Sequence, residues 1–278
     1  MRKISVRMET FQFLIDRYFE RVLYLLGTLN HIKKVFKDEA ARLEKYREKH
    51  PDLPFITGTH LVISDLTGDT DKGWELNYST GKSRSIGYEE YESEMTALLN
   101  RESAFMISQC YEALETFLKD LIALHLFQRS RQGENYHSKF DGCSSYAEFK
   151  TTIRTIRSTN NKDLFKLLKK SCPEYKAAEE SNNLGFNLYS WYQAYSVVRH
   201  SVTHQSSIIK KEQLAKLQPL EKALLEKYFP GSIVNDSYHI DISFGQATKT
   251  LKRITEFGFL LFKCVSICNG EDWQILKT

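Results

Sequence analysis

Residues 108–126 read SQCYEALETFLKDLIALHL, and the spacing of their apolar positions decides the fold. Tyr111, Leu114, Phe117, Leu118, Leu121 and Leu124 recur at three- and four-residue steps, the period of a helix that buries one face. The same stripe reaches back through Met95, Leu98, Leu99, Phe105 and Ile107 and forward to Phe127, which predicts a long helix from about Tyr88 to Phe127. Upstream, residues 8–48 repeat the pattern and predict one long helix or two in line. Downstream, RSRQGENYHSKFDGCSS breaks it. A shorter helix follows from near Ser145, where Glu148 completes a capping box, and others are predicted over 162–171, 184–204, 211–228 and from Gln246 to about Cys268.

Two short inserts are β-rich. HLVISDL and GWELNYST flank the Gly- and Asp-rich TGDTDKG, and PGSIVNDSYHIDISF carries Asn235-Asp236 between two alternating runs, a hairpin over 232–243. The expected architecture is therefore mainly all-α: a helical extension with one hairpin over 1–87, then a helical domain over 88–278 holding the second hairpin. The aromatic run Phe186, Tyr189, Trp191, Tyr192 and Tyr195 reads as core.

The composition excludes a disordered or fibrous chain, since 41% of the 278 residues are hydrophobic and only 27% are charged. A net charge of +4 permits an anionic partner without requiring one. The five cysteines form no CxxC pair and read as reduced thiols. Cys264 and Cys268 share a helix face, half a metal site in principle, but the apolar run FGFLLFKCVSIC favours buried structural thiols. FQFLIDRYFERVLYLLGTL is interrupted by Asp16, Arg17, Glu20 and Arg21, and ITEFGFLLFKCVSIC is short and charged, so neither is expected to span a membrane. The N-terminus lacks the order of a signal peptide, which makes a cytoplasmic location the expectation. No cofactor is expected, because glycine-rich phosphate loops and serine-hydrolase elbows are missing from the sequence.

The stretch YSVVRHSVTHQS, residues 195–206, gathers Arg199, His200, Thr203 and His204 at the end of a helix. Three readings are open. His200 and His204 have the i, i+4 spacing of zinc ligands, yet Ser201 stands where a metalloprotease helix carries its glutamate, and no third ligand follows from spacing. Cations at a helix C-terminus also interact favourably with the dipole and need no further role. The third reading is phosphoryl transfer: arginine presents a fixed donor fork to phosphate, and imidazole, which ordinarily titrates near neutrality, moves protons. Residues five apart on a helix point about 140° from each other, so Arg199 and His204 converge only if the helix ends between them or the arginine reaches around. Val202, Thr203 and the polar Gln205-Ser206-Ser207 are poor helix formers and predict such an end. Arg154, Arg157, Lys162, Lys166, Lys169 and Lys170, with Asp163 the one acid among them, read either as a track for RNA or as a solvated face.

Arg199-His200-Ser201-Val202-Thr203-His204 resembles the R-x4-6-H motif of HEPN domains, whose second position is typically Asn, Asp or His. The long helix of residues 108–126 precedes the motif helix as in that family, and the likeness covers about 88–268. The resemblance implies a metal-independent endoribonuclease in which two protomers of a homodimer bring their motifs to a shared cleft. It implies RNA as substrate and a toxin–antitoxin or antiviral defence setting with an antitoxin or defence-system partner. The alternative it leaves is a non-catalytic module that binds nucleotide, RNA or protein. On this basis Arg199, His204 and His200 are the catalytic candidates, with Thr203 and Glu115 in support. Glu115 is preferred to Glu112 as the orienting carboxylate because Leu114, Phe117 and Leu118 flank it.

Overall fold

The computed structural model describes residues 9–52, 57–64, 77–156, 161–183 and 185–274. The expected turn TGDTDKG, the first residues of GWELNYST and Arg157 lie outside them. The described chain is mainly helical with two small antiparallel sheets. In order it forms α1 (Phe11–Lys49), β1 (Thr57–Ser64), β2 (Asn77–Ile86), α2 (Tyr91–Arg131), α3 (Tyr146–Thr155), α4 (Lys162–Ser171), α5 (Pro173–Glu180) and α6 (Leu188–His204). After these come β3 (Ile208–Ile209), α7 (Lys211–Lys216), α8 (Pro219–Tyr228), β4 (Gly231–Val234), β5 (Ser237–Ile240) and α9 (Phe244–Cys268). No helix among the described residues is long and apolar enough to cross a membrane.

Local chemistry explains most boundaries. The Ser145 hydroxyl accepts from the Glu148 N–H while the Glu148 carboxylate accepts from the Ser145 N–H, so α3 starts at the predicted capping box. The charged run 211–228 is two helices, not one: Pro219 cannot continue α7, and it forces Gln218 into extended backbone before opening α8. α5 was not predicted, although Pro173 stands at its first turn, a position proline favours. Asn235 and Asp236 both adopt positive φ, the geometry of a two-residue hairpin turn between β4 and β5. β3, too short to show in the sequence, pairs with the far edge of β5.

The chain divides into two compact units, differently from the boundary drawn at residue 87. One unit comprises residues 30–100: the second part of α1, the β1–β2 hairpin and the start of α2. Within it Leu43 and Tyr91 are buried, Arg47 pairs with Glu89 at 2.5 Å, and Arg84 pairs with Glu94.

The other unit comprises residues 1–29 and 101–278. The start of α1 belongs here because Phe11, Leu14, Ile15 and Tyr18 are buried in its core. Tyr18 stacks on Phe117 and donates its hydroxyl proton to the Ile254 carbonyl at 2.8 Å. At the centre, α6 inserts Trp191, Tyr192 and Tyr195 among Tyr111, Phe165, Phe229 and Phe257. Phe186 is buried beside them, as the aromatic run implied, whereas Tyr189 stays half-exposed. Buried charge is compensated: Asp120 on α2 is ringed by Arg17 at 2.6 Å, Lys150 at 3.1 Å and Arg154 at 3.6 Å.

Two predictions follow from this packing. A Cβ on Gly258 of α9 would lie 2.3 Å from Cε1 of the pinned Tyr18 ring. Alanine's better helix propensity returns roughly 1 kcal/mol and overpacking costs roughly 3 kcal/mol, so urea denaturation of Gly258→Ala should show a net loss of about 2 kcal/mol. His125 on α2 is fully buried, and burial holds its pKa down to about 4 against the pull of hydrogen bonds with the Ser171 carbonyl and the Asn269 amide. The native imidazole therefore stays neutral while the unfolded chain takes up a proton below pH 6.5. Stability is full above that pH and falls as the pH drops toward 4. Between pH 7.5 and pH 5 the native chain should lose about 2 kcal/mol more than His125→Gln does, as read by urea unfolding at both values.

Candidate functional site

The site begins with the end of α6. Asn187 caps the helix by accepting from the Ser190 N–H at 2.9 Å, and the helix then runs unbroken to His204. The predicted break between Arg199 and His204 does not occur. Ser201 and Val202 are buried, and that packing outweighs the weak helix preference of the segment. The Thr203 hydroxyl donates to the Arg199 carbonyl at 2.9 Å and approaches the His200 carbonyl at 3.3 Å, so it closes on the backbone and offers the site no donor. Termination comes later, where Ser206 and Ser207 take positive φ and the Ser207 N–H reaches back to the Ser201 carbonyl at 3.0 Å. Arg199 and His204 consequently remain about 140° apart around the helix axis.

His200 occupies the position between them. Arg199 and His200 both line a groove of 510 Å³, together with Tyr189 and Lys216 and the α4 residue Lys162. His204 is exposed, and its ring lies 5.0 Å from that of His200 with a 53° tilt. The structure thus brings Arg199 to His200 and His200 to His204, but not Arg199 to His204. Among groove neighbours, Tyr189 has its phenol pushed up to about 12 by burial and by the charges of Glu221 and Asp163.

The carboxylate that touches Arg199 is Glu112, through Nη2 and Oε1 at 2.9 Å, and not the expected Glu115. Ser108 lies one turn earlier on the same face of α2 and donates to the Arg199 carbonyl at 3.3 Å. The i, i+4 pair Ser108/Glu112 is therefore the face of α2 that meets the motif, a signal the sequence contained without saying which helix it met. Glu115 faces elsewhere: it accepts from Lys119 at 2.7 Å and from Asn161 at 2.9 Å, and Asn161 also donates to the Tyr192 hydroxyl at 2.7 Å. Burial pulls the Glu115 pKa upward, but these hydrogen bonds, with the charges of Lys119 and Arg199, bring it below the usual carboxylate range. Glu115 anchors the start of α4 to the core and acts on Arg199 only through its field.

The basic run is not one track. Arg154 turns to Asp120, Lys166 pairs with Asp163 at 3.1 Å, Lys169 pairs with the buried Glu179, and Lys170 donates to the Tyr136 carbonyl at 3.0 Å. Lys162 alone of the described members joins the Arg199 groove.

Comparisons place no known protein beside this chain: no family model, no curated protein and no solved structure matches it.

The Arg199 and Glu112 side chains keep 30% and 39% of their surface in water, so solvent screens the pair. Glu112→Gln should cost under about 1 kcal/mol in urea unfolding. A much larger loss would make Glu112 a structural residue and not a holder of the arginine.

Proposed function

We propose that the chain is a metal-independent endoribonuclease of the HEPN type that works as a homodimer. The observation that carries this is the common groove of Arg199, His200, Lys162 and Lys216, with the His204 ring against that of His200 at its edge. Three cations and an imidazole outnumber the one carboxylate among the described lining residues, Glu221, and with Arg199 held by Glu112 the groove still suits a phosphodiester better than a neutral ligand.

In the reaction the RNA 2′-oxygen attacks phosphorus, the bond to the 5′-oxygen breaks, and a cyclic phosphate and a 5′-hydroxyl result. One imidazole takes the 2′-hydroxyl proton and another returns a proton to the departing oxygen. Arg199, held through Nη2 alone, keeps donors for the charge that builds on the phosphorane oxygens. His200 stands on the groove beside Arg199 and serves the same phosphate within one chain. His204, directed away from Arg199, reaches that chemistry best in the partner's cleft, which a two-fold axis supplies without new sequence. An antitoxin or defence-system protein would then act by covering the groove.

Single-stranded RNA incubated with the purified chain in EDTA should be cut to cyclic-phosphate ends, with circular dichroism confirming that the chelator leaves the fold intact. Arg199→Ala and His204→Ala should each slow cleavage by roughly a hundredfold or more. Mixing the two variants should restore part of the rate, because mixed dimers assemble one intact pair. RNA that is bound yet left whole identifies the non-catalytic module instead, and RNA neither bound nor cut ends both readings.

A further inference from the structure

Cys264 and Cys268 share a face of α9, but the thiol that completes a cluster with Cys268 comes from elsewhere. Cys172 precedes α5 and Glu174 lies in its first turn, and α5 packs on α9. That packing brings the sulfurs of Cys172 and Cys268 and a Glu174 oxygen within 4.8 Å of one another. We propose that Cys172, Glu174 and Cys268 bind a zinc-class divalent ion.

The geometry suits such an ion. Tetrahedral zinc with bonds of about 2.3 Å to sulfur and 2.0 Å to oxygen separates neighbouring sulfur and oxygen ligands by about 3.5 Å and two sulfurs by about 3.8 Å. The Cys172 Sγ to Glu174 Oε2 separation is 3.8 Å, so closure onto an ion needs only small side-chain rotations. Two thiolates select a soft or borderline metal over magnesium or calcium. Cys172 is buried whereas Glu174 and Cys268 are half-exposed, so three ligands come from the protein and the fourth position opens toward water.

The surroundings hold these ligands from behind. The Cys268 thiol now rests on the Ser171 carbonyl at 3.6 Å and the Cys172 thiol on the Cys264 carbonyl at 3.5 Å. Those are weak thiol contacts that are given up when the metal–sulfur bonds form and two protons leave to solvent. The Ser171 carbonyl also lies 3.3 Å from Nε2 of His125, whose Nδ1 meets the Asn269 amide at 2.8 Å; this fixes the chain on both sides of the cluster.

The full chain, purified under reducing conditions and supplied with zinc, should hold one equivalent after gel filtration by elemental analysis. Cobalt titrated into the zinc-free chain should give the intense visible bands and near-ultraviolet thiolate charge transfer of a tetrahedral site. Cys268→Ser should abolish both signals, Glu174→Gln should weaken cobalt affinity about tenfold or more, and Cys143→Ser, at the half-exposed cysteine outside the cluster, should leave both unchanged. Cys268 is half-exposed, so its serine variant is expected to fold, and circular dichroism checks that. Absence of stoichiometric zinc in the reduced chain, or equal loss of metal in Cys143→Ser, would overturn the proposal. So would a Cys172–Cys268 disulfide that forms in air while the reduced chain binds no metal. None of these measurements reads RNA cleavage, so this proposal and the ribonuclease reading fail separately.

Discussion

The rest of the structure depends on how α6 is held about its own axis. Trp191, Tyr192, Tyr195, Val198 and Val202 are its buried face, and each large ring removes on the order of 200 Å² from water, worth about 5 kcal/mol as an upper bound. The Tyr195 hydroxyl donates to the Ile107 carbonyl on α2, and the Tyr192 hydroxyl accepts from Asn161 at the start of α4. These polar contacts discriminate between rotations of the helix, where apolar contact alone would tolerate small ones. A turn of one residue, about 100°, would carry Tyr195 and Arg199 together, since they are one turn apart on α6, and would break both the Tyr195 contact to Ile107 and the Arg199 contact to Glu112. His200 therefore faces the groove away from the aromatic face, and Arg199, one turn after Tyr195, reaches it from that face's edge.

That constraint also decides which cations remain available to an anion. A buried carboxylate draws in whatever positive charge surrounds it, and Asp120 and Glu179 between them engage Arg17, Lys150, Arg154 and Lys169. Those residues neutralise the interior and cannot serve a ligand without exposing an unpaired buried charge. Arg199 differs, since its partner Glu112 is on the surface and the exchange of that contact for a phosphate leaves the carboxylate in water. The difference between a structural cation and a binding cation lies in the burial of its acid, which a count of lysines and arginines does not show.

The same distinction explains how much the sequence disclosed. Features set within a few residues were legible: the Ser145/Glu148 box, the Asn235-Asp236 turn, the long stripes of α1 and α2, and the limits of α4. Pro173 and Pro219 are equally local signals, but the short α5 and the α7–α8 break interrupt no apolar period, so periodicity does not disclose them. β3 and the division at Leu29 and Arg101 depend on chain partners far away in sequence, as do the choice of Glu112 over Glu115 and the meeting of Cys172 with Cys268. Val202 and Thr203 mark the limit from the other side, for their weak helix preference is overridden by the burial of Val202.

The unbroken helix has a consequence for the motif itself. With Arg199 and His204 about 140° apart, the two leave α6 on different sides, whereas His200 already shares the arginine's groove. His200 and His204 nevertheless touch through their rings, so a proton or a phosphate oxygen at one is within a short step of the other. The motif thus spans two directions joined by His200: inward to the arginine's groove, and outward to the exposed side of α6. On the ribonuclease reading, that arrangement is what a two-fold pair requires, with each chain keeping the phosphate clamp and lending the outward imidazole. On the binding-module reading, nothing requires His204 to be on the exposed side.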